Sequence, residues 1–303
     1  MKEHKETARP ANGASPVGED PWAELRRYTD ARIALGRCGV SLPHAEWLAF
    51  RLDHAKARDA VLTPYEIKNL RDTLEAQGLP CLELQSAATN KEEFLARPDR
   101  GRKLSEASRT LLEQYMARLG QEKNHQDTPT DTNSCEETCT GTCTNGNMDK
   151  STNNRADICL AISDGLSARA VHENAAPFAA SFMAWAAEAG FSTTPVALIE
   201  YGRVAVADEI AHLLGARLVV ILLGERPGLS SPNSLGVYLT YAPFPGCTDE
   251  ARNCISNVRP AGLSIEDGVR KLSYLVRGAF ARGLSGVNLK DDMPLDGGHK
   301  ELV

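Results

Sequence analysis

No apolar run in this chain approaches the roughly 20 residues that a membrane-spanning helix needs, so no spanning helix and no membrane partner are expected. A basic excess is missing too: the formal net charge is −6, which argues against a dedicated nucleic-acid binder. The opening stretch MKEHKETARPANGASPVGED lacks the apolar core of a secretory signal, and a cytoplasmic protein is expected. Signatures of common chemistry are also absent. No glycine loop fits G-x-G-x-x-G, there is no G-x4-G-K-[ST], and the serine of DGLSA lacks the G-x-S-x-G frame. The histidines do not pair at metal-ligand spacing, so His172 and His212 are expected on helix surfaces and no metal site is expected.

What is present is the composition of a globular protein. The 303 residues are 42% hydrophobic and 24% charged, enough to bury one large core or two ordinary ones. Eight cysteines in a long intracellular chain read as free thiols rather than a disulfide framework. Cys38, Cys81 and Cys159 have apolar neighbours and are expected in the core. Cys135, Cys139 and Cys143 form C-x3-C-x3-C, which misses the C-x3-C-x2-C spacing of a radical-SAM cluster and has no obvious fourth ligand.

Four stretches follow from the pattern. Residues 1–21 are polar, with proline and glycine, and are expected to form a mobile tail. Residues 22–120 are mainly helical. Pro43 marks one helix start, with Leu48, Leu52 and Ala55 on one face and Trp47, Arg51, His54 and Arg58 on another; that second face is either a solvated surface or a docking surface. A second helix runs from Pro64 to a stop at Gly78, CLELQS is a short strand, and Ser105 and Ser108 are candidate caps for a third helix. Residues 121–154 carry almost no apolar content and read as a low-complexity insertion or linker. From 155 to 303, strands and helices alternate. DICLAIS, TPVALIE and RLVVILL are near-continuous apolar strands separated by helices that close on Gly190 and Gly215. SLGVYLTY is a further strand, and residues 264–283 form a last helix opened by a capping box from Ser264 to Asp267. The fold class expected is α/β, a mostly parallel sheet with helices on both faces, preceded by a helical region.

In such a sheet, ligands bind outside the carboxyl ends of the strands. The loops SDGLSA, EYGRVA and GERPGLSSPNS occupy that position, and the polar segment 247–264 is read as an irregular fourth. Together they predict a binding crevice. Asp164 is an acid placed for chemistry or, preferably, a cap of the next helix; Ser167 is best read as an N-cap. Cys254 is a candidate nucleophile without a histidine nearby in sequence. The residues alone therefore give a ligand-binding α/β protein without an evident catalytic residue. A hydrolase or transferase using Cys254 or Ser167, and an interaction module built on the helical half, remain as alternatives.

The segments ISDGLSARAVHENAAPF, IEYGRVAVADEI, LLGARLVVILLGERPGLSSPNSLGVYLTYAPFPG, ARNCISNVRPAGLS and GLSGVNLKDD closely resemble the small subunit of ethanolamine ammonia-lyase. TDARIALGRCGVSLPHAEWLAFRLDHAKARDAV and SAATNKEEFLARPDRGRKLS resemble the same family. The resemblance implies a Rossmann-like domain over 155–303 that binds adenosylcobalamin at the interface with a large, TIM-barrel subunit. It implies a hetero-oligomer that converts ethanolamine to acetaldehyde and ammonia by a radical route, this chain being inactive alone. The family's cobalamin contacts fall on Val204, Glu225 and Cys254. No D-x-H-x2-G stretch occurs, which is compatible with the base-on cobalamin binding of the family. Family members can sit in bacterial microcompartments, but the N-terminal segment shows no amphipathic stripe for such targeting. The insertion at 121–154 departs from the family core.

Overall fold

The computed structural model describes residues 17–18, 20–126 and 155–293. Cys135, Cys139 and Cys143, with residues 127–154 of the expected insertion and most of the N-terminal tail, lie outside them; residues 121–126 of that stretch are instead the end of a helix. Six strands form one sheet in the order β1-β3-β2-β4-β5-β6: β1 Cys81–Gln85, β2 Ile158–Ser163, β3 Val196–Glu200, β4 Leu218–Gly224, β5 Leu235–Tyr241 and β6 Arg252–Val258. The first four in this order are parallel, and β5 and β6 add antiparallel. The expected α/β class and mostly parallel sheet are therefore observed.

Every residue of β2 is buried, because helices cover both faces. Ile158, Leu160 and Ile162 face a core built with α2 (Ile67–Ala76), α5 (Ala168–Glu188) and α7 (Ile265–Arg282). Cys159 and Ala161 alternate to the opposite face, against α4 (Glu106–Gln126) and α6 (Val206–Leu213). This two-sided burial explains why the strands read as continuous apolar runs rather than alternating ones. Local chemistry sets the helix ends. Ser167 and Ser264 accept the Ala170 and Asp267 amides as N-caps, and Gly283 ends α7 in the left-handed region at φ 67°. Ser105 caps α4 through the Ser108 amide, whereas the Ser108 hydroxyl accepts the Gln85 amide and ties α4 to β1.

Several expectations need correcting. Helix α1 (His44–Leu62) buries Ala60 alone, and Leu48 and Leu52 are exposed at 49% and 56%. The apolar spacing was right for a helix, but among the described residues no element covers Leu48 and Leu52. On the other face Arg51 lies over Trp47, 4.8 Å from the ring centre. Cys38 is exposed and Cys81 half-buried; Cys159 is in the core. Helix α2 starts at Ile67, not at Pro64. The segment expected to be irregular contains the strand β6, and the short helix α3 (Lys91–Ala96) has too few residues to show a period.

Candidate functional site

The chain runs from β2 to β3 on one side and then crosses to β4 on the other, so the crevice between diverging loops falls at the end of β2. A cleft of about 520 Å³ opens there. It takes Gly165 and Leu166 from the loop after β2, Arg203 to Ala205 from the loop after β3, and Gly224 to Arg226 from the end of β4. Tyr238 on β5 and Asp249 before β6 close one side, and Phe94 and Arg102 the other. The three loops selected from the sequence thus meet, and the fourth segment contributes Asp249.

Two glycines let these loops touch. Gly165 has φ 53°, and a side chain on it would collide with the Gly224 carbonyl; one on Gly224 would collide with the Ser167 and Asp164 carbonyls. Backbone strain collects nearby. Tyr201 (φ 58°) and Asn257 (φ 62°) are held left-handed, and each aims its amide at a carboxylate, Asp164 and Glu225 respectively.

Asp164 is 1% exposed. One oxygen accepts the Tyr201 amide at 2.8 Å, and the other pairs with Lys91 Nζ at 3.1 Å. Lys91 also donates to the Gly165 carbonyl at 2.9 Å, so α3 is clamped onto the loop after β2. The cap assignment for Asp164 is therefore wrong: Ser167 caps α5, and Asp164 is a hub that positions the β2 and β3 loops. Burial raises its carboxyl above the usual range, and Lys91 and the amide only partly offset this. His172 also departs from a plain surface position. It is half-buried, stacked on Tyr65, and its Nε2 accepts the Glu66 amide at 3.1 Å. His212 is exposed as expected.

Val204 and Glu225 both line the cleft. Glu225 Oε2 accepts from the Ser234 hydroxyl and, at 3.3 Å, from the Asn257 amide. Oε1, which lies beside Gly236, makes no hydrogen bond among the described residues, so one carboxylate oxygen is anchored and the other is unpaired. Cys254 does not line the cleft. It lies exposed on β6, paired across the ladder with Tyr238, and Tyr238 is the cleft wall. Although the residue is exposed, partial desolvation of its sulphur holds the Cys254 thiol above its ordinary value, so it is protonated at neutral pH and a poor nucleophile. Ser167 is fully buried, accepting from the Ala170 amide and donating to the Pro232 carbonyl, so its hydroxyl is committed to structure. Both observations weigh against a self-sufficient hydrolase.

Sequence reasoning did not single out Arg203, Arg102, Phe94 or Tyr238. Arg203 stood in the selected loop EYGRVA, but its setting comes from α3. Its guanidinium lies 4.3 Å from the Phe94 ring centre, one nitrogen donates to the Phe94 carbonyl, and buried Nε has no partner. No signal in the sequence brings Phe94 across some hundred residues to Arg203.

Sheet and loops define a Rossmann-like α/β protein with a cleft at the strand ends, whose described lining holds acceptors and cations but no assembled nucleophile. Residues 19–126 and 142–290 match the family model described as ethanolamine ammonia-lyase light chain (EutC). The chain is 48% identical over 278 residues to the ethanolamine ammonia-lyase small subunit of Azotobacter vinelandii (strain DJ / ATCC BAA-1303), covering 92% of this chain and 91% of that one. It is 48% identical over 281 residues to the small subunit of Ralstonia nicotianae, covering 92% of each. The protein of the same name from Pseudomonas putida (strain W619) is 47% identical over 91% of this chain and 90% of its own. The chain belongs to the family of ethanolamine ammonia-lyase small subunits.

Proposed function

We propose that this chain is the cobalamin-binding small subunit of an ethanolamine ammonia-lyase, acting as a hetero-oligomer with a large, TIM-barrel subunit. When bound, adenosylcobalamin supplies the radical chemistry that turns ethanolamine into acetaldehyde and ammonia. This chain's residues bind and orient. A corrin periphery carries amides, which ask for single acceptors and donors at the rim of an open cleft, and the donor set here fits. The observation that carries the reading is the split Glu225 carboxylate: Ser234 and Asn257 fix Oε2, leaving Oε1 open to accept an amide N–H. Val204 gives an apolar contact beside it. Cys254 acts through Tyr238, setting the wall of the cleft. A cleft of about 520 Å³ encloses part of a corrinoid, and the remainder would face the large subunit. The same reading gives that subunit the uncovered face of α1, with Leu48, Phe50 and Leu52 exposed. It also makes the protein cytoplasmic; among the described residues no helix is long and apolar enough to cross a membrane.

The test mixes the chain with adenosylcobalamin, with and without the large subunit, and follows the corrin spectrum and ethanolamine turnover. Turnover is expected in the complex alone; turnover by this chain alone would sink the proposal. In the complex, Glu225→Ala should weaken cofactor affinity about tenfold, the worth of one charge-assisted hydrogen bond. Unchanged affinity would remove Glu225 from the site.

A further inference from the structure

The cleft holds more positive charge than its carboxylates balance. Arg102, Arg203 and Arg226 line it, from the turn before α4, the β3 loop and the β4 loop. The neighbouring carboxylates are committed elsewhere: Asp249 and Asp208 to Arg252, Glu93 to Arg100, and Asp164 to Lys91. The Glu225 carboxylate has Ser234 and Asn257 on one oxygen. Among the described residues none of the three arginines has a carboxylate within ion-pair distance. Arg203 is the informative member. Phe94 supports its plane and takes one donor, yet its buried Nε has no acceptor. An unmet buried donor is destabilising, so a protein that keeps one at a cleft has a use for it. Burial, then the charges of Arg102 and Arg226, lower the Arg203 guanidinium from its ordinary value, and Asp164 only partly opposes them, so the three guanidinium groups act on one another.

We propose that Arg102, Arg203 and Arg226 form a phosphate-binding subsite of this cleft, accepting the phosphodiester of a nucleotide-bearing corrinoid. Guanidinium groups suit the task because their fork matches phosphate oxygens and their charge persists. The inference rests on the cobalamin reading for the source of the phosphate, and on the arginines alone for the chemistry. It gives the two sides of the cleft different tasks: Glu225 takes amide donors, and the arginines take the one anionic group.

The experiment compares cobalamin with cobinamide, a corrin without the nucleotide loop and its phosphodiester, in equilibrium binding to the complex with the large subunit. Arg203→Gln and Arg226→Gln should each weaken cobalamin binding about tenfold and leave cobinamide within about twofold. Weakening both corrins alike, or neither, overturns the subsite. Arg226 is exposed, so its variant reports on binding even where Arg203→Gln disturbs the loop. Arg203→Lys, which keeps the charge, should fall between the native protein and Arg203→Gln. If the unsubstituted complex binds no cobalamin, the cofactor reading fails and the subsite is judged with inorganic phosphate titrated into the chain. Phosphate binding that both Gln variants lose supports a site for free phosphate; no binding by the native chain overturns it.

Discussion

Helices α1 and α5 are of similar length, 19 and 21 residues, and both carry large apolar side chains, yet they meet opposite fates. α5 buries eleven residues between β2 and α7, among them Phe178 and Phe182. α1 buries one and leaves Trp47, Leu48, Phe50 and Leu52 at the surface. The difference lies in what surrounds each helix. α5 is a crossover of a parallel sheet, so the topology supplies a surface for it. α1 precedes the sheet and touches it through α5 and the turn at Tyr65. Apolar content alone therefore does not say what a helix is for; what packs on it decides, and among the described residues little packs on α1.

The largest expected effect tests that contrast directly. Phe178→Ala removes a ring with no exposure, at a point where α7 approaches so closely that a side chain on Gly268 would press on it at 3.0 Å. Urea unfolding should show a loss of about 3–5 kcal/mol, the transfer and cavity cost of a buried aromatic. Leu52→Ala on α1 should change stability of the chain by less than about 0.5 kcal/mol, since the side chain is already in water. A large loss from Leu52→Ala would mean that α1 is held by the chain itself, and the contrast would collapse.

That contrast also explains what was legible. The strands β2, β3 and β4 could be read because burial on both faces forces unbroken Val/Ile/Leu runs, and their carboxyl ends then named the three loops. β6 was hidden because this edge strand buries only Arg252, Ile255 and Val258, three residues apart across an irregular register, so RNCISNV shows no strand period and looks like a polar loop. Asp164 was misassigned because strand-end acids commonly cap helices, and nothing local reveals a lysine 73 positions earlier. The Arg203–Phe94 pair and the Tyr238–Cys254 pair were invisible for the same reason: both are made by tertiary pairing, not by spacing. Val204, Glu225 and Cys254 came from family resemblance, and the structure puts the first two at the cleft and the third behind its wall.

The Asp164 hub gives a test of intermediate size within the well-packed half. Its folded pKa is raised above the ordinary 3.8 by burial, so its favourable contribution is present below that value and is lost as pH rises through the folded pKa. Asp164→Asn keeps an acceptor for the Tyr201 amide and cannot ionise. From pH 4 towards neutrality, stability of the native chain should fall relative to Asp164→Asn, with at most one proton's slope, about 1.4 kcal/mol per pH unit. A difference that is flat, or that moves the other way, would show that Lys91 outweighs burial at this carboxylate.

The smallest effect lies at the seam between the two regions. His172 on α5 receives the Glu66 amide and stacks on Tyr65, 5.9 Å between ring centres with planes 10° apart. Only a neutral imidazole nitrogen can accept that hydrogen bond. Burial lowers the His172 pKa below 6.5, outweighing Glu66, Asp164 and Glu173, which favour the charged form. The bond's contribution is therefore present above about pH 6.5 and is lost as pH falls through the depressed folded value. Its worth is about 1 kcal/mol, too little to unfold the sheet but enough to loosen a weakly attached segment. Hydrogen exchange, corrected for intrinsic pH dependence, should show residues 66–70 losing protection at acid pH while β2 keeps its own. His172→Gln, which can accept without titrating, should abolish that pH dependence. If β2 loosened in parallel, the N-terminal helices and the sheet would open as one unit, and the seam would not be the weaker link.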